Sequence, residues 1–386
     1  MKMKAYLQQL MPSRSMIESF LDQTVYLDDS VRNNNGRFYD AELGFLLKDH
    51  SRDDGIDGTC SLATFESQSG ARARLNFPDQ TARITSYGNS FTMCNQVNDG
   101  ETCQEYLAAR LGEPVMNFGV GGYSVYQAYL RLLREEKRMP SECIIFNIWE
   151  DDHYRNLDAW KSIRKGSISI MGNGFAMPYL EVEDGGNRVV ERPNPTPTPE
   201  SVYHLGDPVW VEQTFGGKDN FPLKVALELR RQTGKEEDGQ SDTEVDVGFR
   251  STGGGSRLRE LQLEHSRKAL RSTEFLVEQL IGYAAENGKK ILFVLSYTDG
   301  YILDRINGDA RWDESFVAFL EQTGVPVADM SQAHLTDYRE SYSCSPEDYL
   351  GRFFIGHYNP VGNHFMAMAI RDQVASLLDP RPPAYA

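Results

Sequence analysis

Ile84-Thr85-Ser86-Tyr87-Gly88-Asn89-Ser90-Phe91-Thr92 is the stretch on which the reading of this chain turns. Up to Tyr87 the residues are β-branched and aromatic, and they predict a strand over Arg83–Tyr87. Gly88 breaks that strand, and a polar helix start follows near Asp99. A serine just past a strand end, beside a glycine and ahead of a helix, is where α/β proteins expose a reactive group. An ordinary turn serine has the same local signature, so the decision rests on what lies around it.

Outward from this point the chain alternates. A helix runs from Asp99 through Leu111 to Gly112, and a second strand, Pro114–Phe118, closes on Gly119-Val120-Gly121-Gly122. Tyr126, Tyr129, Leu130 and Leu133 fall at helical spacing, and Cys143–Ile148 is an apolar third strand. More than a hundred residues then lack the alternation. Pro193–Pro199 reads as stiff linker, Lys235–Asp246 as a polar acidic stretch and Gly253-Gly254-Gly255 as a joint. Regularity returns with a helix from Ser256 that ends at Asn287-Gly288, with His265 packing on its apolar face. Then come strand four (Lys290–Tyr297), a helix over Glu314–Gln322, strand five (Val325–Asp329) and a final helix from Pro360 to Leu377. Short apolar strands alternating with amphipathic helices predict a three-layer, flavodoxin-like α/β/α fold with about five parallel strands. The core spans 82–153 and 285–386. Residues 1–81, with a helix over Met16–Leu27 and a loop over Asp49–Gly58, form an N-terminal arm packed on it. Residues 154–284 are a partly irregular insertion that caps the active site.

Composition narrows the function. Lys plus Arg number 40 against 56 Asp plus Glu, a formal net charge of −16. That balance argues against a nucleic-acid partner or an anionic membrane surface. Five cysteines without a CxxC pair predict reduced thiols and no structural zinc. No signal peptide or spanning run of apolar residues is evident, so a cytoplasmic location is the expectation.

At the carboxyl ends of the strands the sequence places Ser90, then Gly119, Gly121 and Gly122, then Asn147 and Trp149-Glu150-Asp151-Asp152-His153. The loop before the last helix adds His357 and Asn359. A hydroxyl, an imidazole and backbone amides near glycine are the parts for acyl transfer. In this order they resemble the SGNH (GDSL-like) hydrolase superfamily. Gly88-Asn89-Ser90-Phe91-Thr92 resembles its first block, Asn117–Ser124 its second, Trp149–Asp152 its third and Gly356–Asn363 its fifth. The match covers about 82–153 and 288–378.

The resemblance implies a flavodoxin-like core, Ser90 as nucleophile, His357 as base, Gly122 as oxyanion glycine and Asp151 in the place of the family asparagine. Three positions depart from the pattern: Asn89 stands for an aspartate, Asp151 for the asparagine, and Phe354 for the aspartate three residues before the histidine. A carboxylate from Glu150, Asp151 or Asp152, with Asp329 as a second candidate, is therefore expected to support His357. Asn147, Asp152 or a backbone amide would complete the oxyanion hole, since an ionised Asp151 is acceptor-only. Asn89, Gly121, Asn147, Trp149, Asp152, His153 and Tyr358 are the expected substrate-contacting residues, and His364 is the fallback base. The implied activity is esterase or deacetylase action on a small ester, an O-acylated metabolite or a saccharide, with no cofactor or metal. An acyltransferase, or a catalytically weakened binding or scaffold protein, are the other readings.

Overall fold

The structure is a computed structural model. It describes residues 3–22, 36–167, 175–183, 185, 188–217, 220–233 and 255–385. The acidic stretch at 235–246 and Gly253-Gly254 lie outside the described residues.

Five strands form one parallel sheet: β1 (Ile84–Tyr87), β2 (Val115–Asn117), β3 (Cys143–Trp149), β4 (Lys290–Ser296) and β5 (Val327–Asp329), in the order β5-β4-β3-β1-β2. Ile84 pairs with Val115 on one side and Cys143 on the other, so β1 and β3 are neighbours where the strand order reverses. In open α/β sheets that reversal opens a crevice at the carboxyl ends of the two strands.

The helices of the sheet-bearing unit are α1 (Ser90–Met93), α2 (Cys103–Leu111), α3 (Val125–Arg138), the part of α4 (Ser256–Glu286) from Leu276 onward, α5 (Asp299–Ile306), α6 (Glu314–Gln322), α7 (Met330–Ser341), α8 (Pro346–Leu350) and α9 (Pro360–Leu377). Alternation along β1 shows that both sheet faces are covered. Thr85 and Tyr87 donate to Glu136 of α3 at 2.8 and 3.0 Å. Ser86, pointing the other way, accepts from Gln104 of α2 at 3.0 Å, and α9 packs beside α2. Burial alone would raise the Glu136 carboxyl, but donation from Lys289 at 2.7 Å and from the Ser141 amide holds it below its usual range.

The chain divides into two compact units. One gathers the described residues within 1–26, 37–46 and 153–275; the other gathers those within 27–36, 47–152 and 276–386 and contains the sheet. The first 81 residues are thus split between the units. Residues 47–81 belong with the sheet, where the expected loop after Asp49 contains a short strand, His50–Arg52, paired antiparallel with Ser61–Ala63. The expected N-terminal helix is seen over Arg14–Leu21, capped by Ser13. In the first unit the proline-rich run is anchored: Tyr39 donates to Thr196 O at 2.9 Å and Asn194 to Ala41 O at 3.0 Å. The same unit holds a cavity of about 140 Å³ beside Phe215, Phe221 and Lys268. Among the described residues no helix is long and apolar enough to cross a membrane.

Candidate active site

The turn after β1 is built for close approach. Gly88 has φ +150°, and a methyl group there would lie 2.2 Å from Thr92 Oγ1 and 2.7 Å from Asn147 O. Asn89, fully buried, caps α1: its Oδ1 accepts from Phe91 N at 2.8 Å, while its Nδ2 donates to Asp152 Oδ2 at 2.5 Å. Asp152 also accepts from Trp149 N at 3.0 Å. The amide at 89 therefore makes physical sense, because an aspartate there would face the buried Asp152 carboxylate. Asn89 and Asp152, both buried, brace the turn from within the fold.

Ser90 opens α1 with its Oγ 2.9 Å from His357 Nε2. His357 Nδ1 lies 2.8 Å from Gln96 Oε1, which also accepts from the His357 backbone N–H at 2.9 Å. Gln96 Nε2 donates to Ile355 O at 2.9 Å and Asp54 O at 3.2 Å, so its amide orientation is set. Gly356 (φ +104°) brings the chain against Gln96: a methyl group there would stand 3.1 Å from Oε1. The group hydrogen-bonded to the imidazole Nδ1 is thus a neutral amide. Glu150 accepts instead from Thr298 at the start of α5. Asp329 pairs with Arg311 and caps α7 through the Ser331 amide. Asp151 is half-buried in the turn just past β3.

On the far side of Ser90, Val120 and Tyr123 close a turn by Tyr123 N→Val120 O at 3.2 Å, with Gly122 at φ +94°. Positive φ at the third position of such a turn selects glycine. Gly119 has no room for a side chain, since a methyl group would lie 2.2 Å from Met93 N. The N–H groups of Ser90 and Gly122 have no acceptor among the described residues.

Phe91 forms the apolar wall, stacked on Trp149 at 5.7 Å, tilted to His357 at 5.2 Å and edge-on to Tyr358 at 5.5 Å. Asn147 is buried, with Oδ1 accepting from Ser296 at 2.7 Å. His153 belongs to the other unit and bonds Thr273 of α4 at 2.9 Å. His364 sits on α9 against Tyr106. Among the described residues no group of three His, Cys, Asp or Glu is arranged to hold a metal ion.

Behind the His357 loop lies His334, its Nδ1 and Nε2 each 2.9 Å from the hydroxyls of Tyr349 and Tyr358. Burial pushes its pKa down to about 3 from an ordinary 6.5. Between those values the unfolded chain binds a proton that the fold refuses. The contribution of neutral His334 is therefore complete above about pH 6.5 and is lost as pH falls toward 3. Its expected signature is a decline of up to about 1.4 kcal/mol per pH unit within that window. Urea denaturation at pH 7 and pH 5 should show a smaller pH effect in His334→Gln than in the wild type.

Sequence reasoning missed Gln96, Asn95 and Arg72, which together shape the turn after α1. No family model matches the chain, and no curated protein matches it.

Proposed function

We propose that the protein is a serine ester hydrolase of the SGNH type, acting on a small ester or an O-acylated metabolite or saccharide. The observation that carries this reading is the run of contacts from Gln96 through His357 to Ser90, at 2.8 and 2.9 Å. Gln96 Oε1 accepts from Nδ1–H, which leaves Nε2 with a lone pair facing the Ser90 hydroxyl. Ser90 Oγ attacks the ester carbonyl and His357 Nε2 takes its proton. The carbonyl oxygen becomes the oxyanion, received by the N–H groups of Ser90 and Gly122. Collapse breaks the C–O bond, and His357 gives the proton to the departing alcohol. Water then attacks the acyl-Ser90 by the same route and releases the acid. No cofactor enters these steps. An alcohol in place of that water would make the protein an acyltransferase, and product analysis with competing acceptors separates the two.

A neutral amide behind the imidazole also favours a second reading, a catalytically weakened binding protein, because it stabilises an imidazolium less than a carboxylate does. Treatment with a fluorophosphonate probe and peptide mass spectrometry decides between them. One adduct per chain on Ser90 is expected, absent from Ser90→Ala. An unlabelled wild type would instead favour the binding protein.

A further inference from the structure

The four residues after α1 have a geometry that chain connectivity alone does not require. Cys94 (φ +61°) and Gln96 (φ +70°) are both in the left-handed region, which non-glycine residues rarely adopt. Strain of this kind persists where the surroundings enforce it, and it gathers at working sites. Here the enforcer is Arg72, whose side chain is 1% exposed. It donates to Met93 O, Cys94 O and Val97 O at 2.6, 2.7 and 2.6 Å and pairs with Asp99 at 2.9 Å. The result is that two consecutive side-chain amides, Asn95 and Gln96, flank the Ser90–His357 pair.

Gln96 faces His357. Asn95 faces the glycine turn: a methyl group on Gly121 would lie 3.2 Å from Asn95 Nδ2 and 3.7 Å from Ser90 Cβ. Its backbone N–H returns to Ser90 O at 3.1 Å, and its half-buried side-chain amide has no partner among the described residues. The other side chains at the site are poorer donors. Asp151 is acceptor-only when ionised, and Asn147 is 2% exposed beneath Gly88.

We propose that the Cys94–Val97 turn completes the catalytic machinery, with Asn95 as a catalytic residue donating to the oxyanion and Gln96 as the positioning residue for His357. This rests on the hydrolase reading. One seven-residue segment, Ser90–Gln96, then carries the nucleophile, an oxyanion donor and the group that orients the base.

The test is hydrolysis of p-nitrophenyl acetate by the full chain, with thermal unfolding to show that each variant is folded. Asn95→Ala is expected to lower kcat by about 10²–10³-fold with KM changed less than about threefold. Asn95→Asp, near-isosteric but acceptor-only at neutral pH, is expected to be no better. Gln96→Glu keeps the shape and places a charge behind His357. It should move the acid limb of the kcat/KM profile upward by about one pH unit or more, an effect that a purely structural glutamine would not produce. A folded Asn95→Ala with kcat within about threefold of wild type, or an unmoved limb in Gln96→Glu, would overturn the corresponding assignment while labelling of wild-type Ser90 left the hydrolase reading standing. If wild type fails to label, both fall together.

Discussion

Alanine at Ser90 or at His357 should lower kcat/KM for p-nitrophenyl acetate by about 10⁴–10⁶-fold, and the double variant should be scarcely worse than the poorer single one. The expectation follows from the unit these residues form. Without the imidazole 2.9 Å away, the Ser90 hydroxyl has no base and the leaving alcohol no acid. Without the hydroxyl, the imidazole has nothing to activate. The amides of Ser90 and Gly122 remain in either variant, so a residue of catalysis over water, roughly 10³–10⁴-fold, should survive. Steady-state rates of the three variants measure this directly. Additive losses would mean that the two side chains do not act together.

The largest effect on stability is expected at Arg72→Met. Methionine fills similar space but removes five side-chain hydrogen bonds: to Asp99, Met93 O, Cys94 O, Leu62 O and Val97 O. What remains is a set of carbonyls that lose the Arg72 donor and a carboxylate that, among the described residues, keeps Thr64 through its amide and hydroxyl. Removing one partner of a buried ion pair destabilises by about 3–5 kcal/mol, a large part of the roughly 5–15 kcal/mol that holds a domain folded. Chemical denaturation should show the loss in the midpoint. Activity should fall even where the variant remains folded, because the left-handed turn carrying Gln96 loses its clamp.

Much of the sheet was legible because buried parallel strands are short apolar runs between amphipathic helices. Cys143–Trp149 and Lys290–Ser296 lie within a residue of where the pattern puts them. Helix α1 escaped notice, since four residues carry no helical period, and α5, α7 and α8 lie where polar residues mask the alternation. The positions of Ser90 and His357 follow from strand ends and motif order. The positions of Asn95, Gln96 and Arg72 do not. Which way a glutamine points after two left-handed residues depends on an arginine from a polar segment about twenty residues upstream, and no periodicity encodes that. The glutamine at His357 Nδ1 was missed for a related reason. Acidic residues clustered at the end of β3, but Asp152 was already committed to Asn89 and Glu150 to Thr298.

Ser90 and the turn that serves it are nearly contiguous, whereas Ser90 and His357 are 267 positions apart. That separation has a consequence for biosynthesis. At about 5–20 residues per second, the nucleophile leaves the ribosome roughly ten seconds to a minute before its base is made. Until the His357 loop docks, the serine is an ordinary alcohol of low reactivity. On the proposed mechanism the nascent chain would carry its nucleophile in a latent form, and the hydroxyl would gain its base only when the ends of the sheet-bearing unit have met.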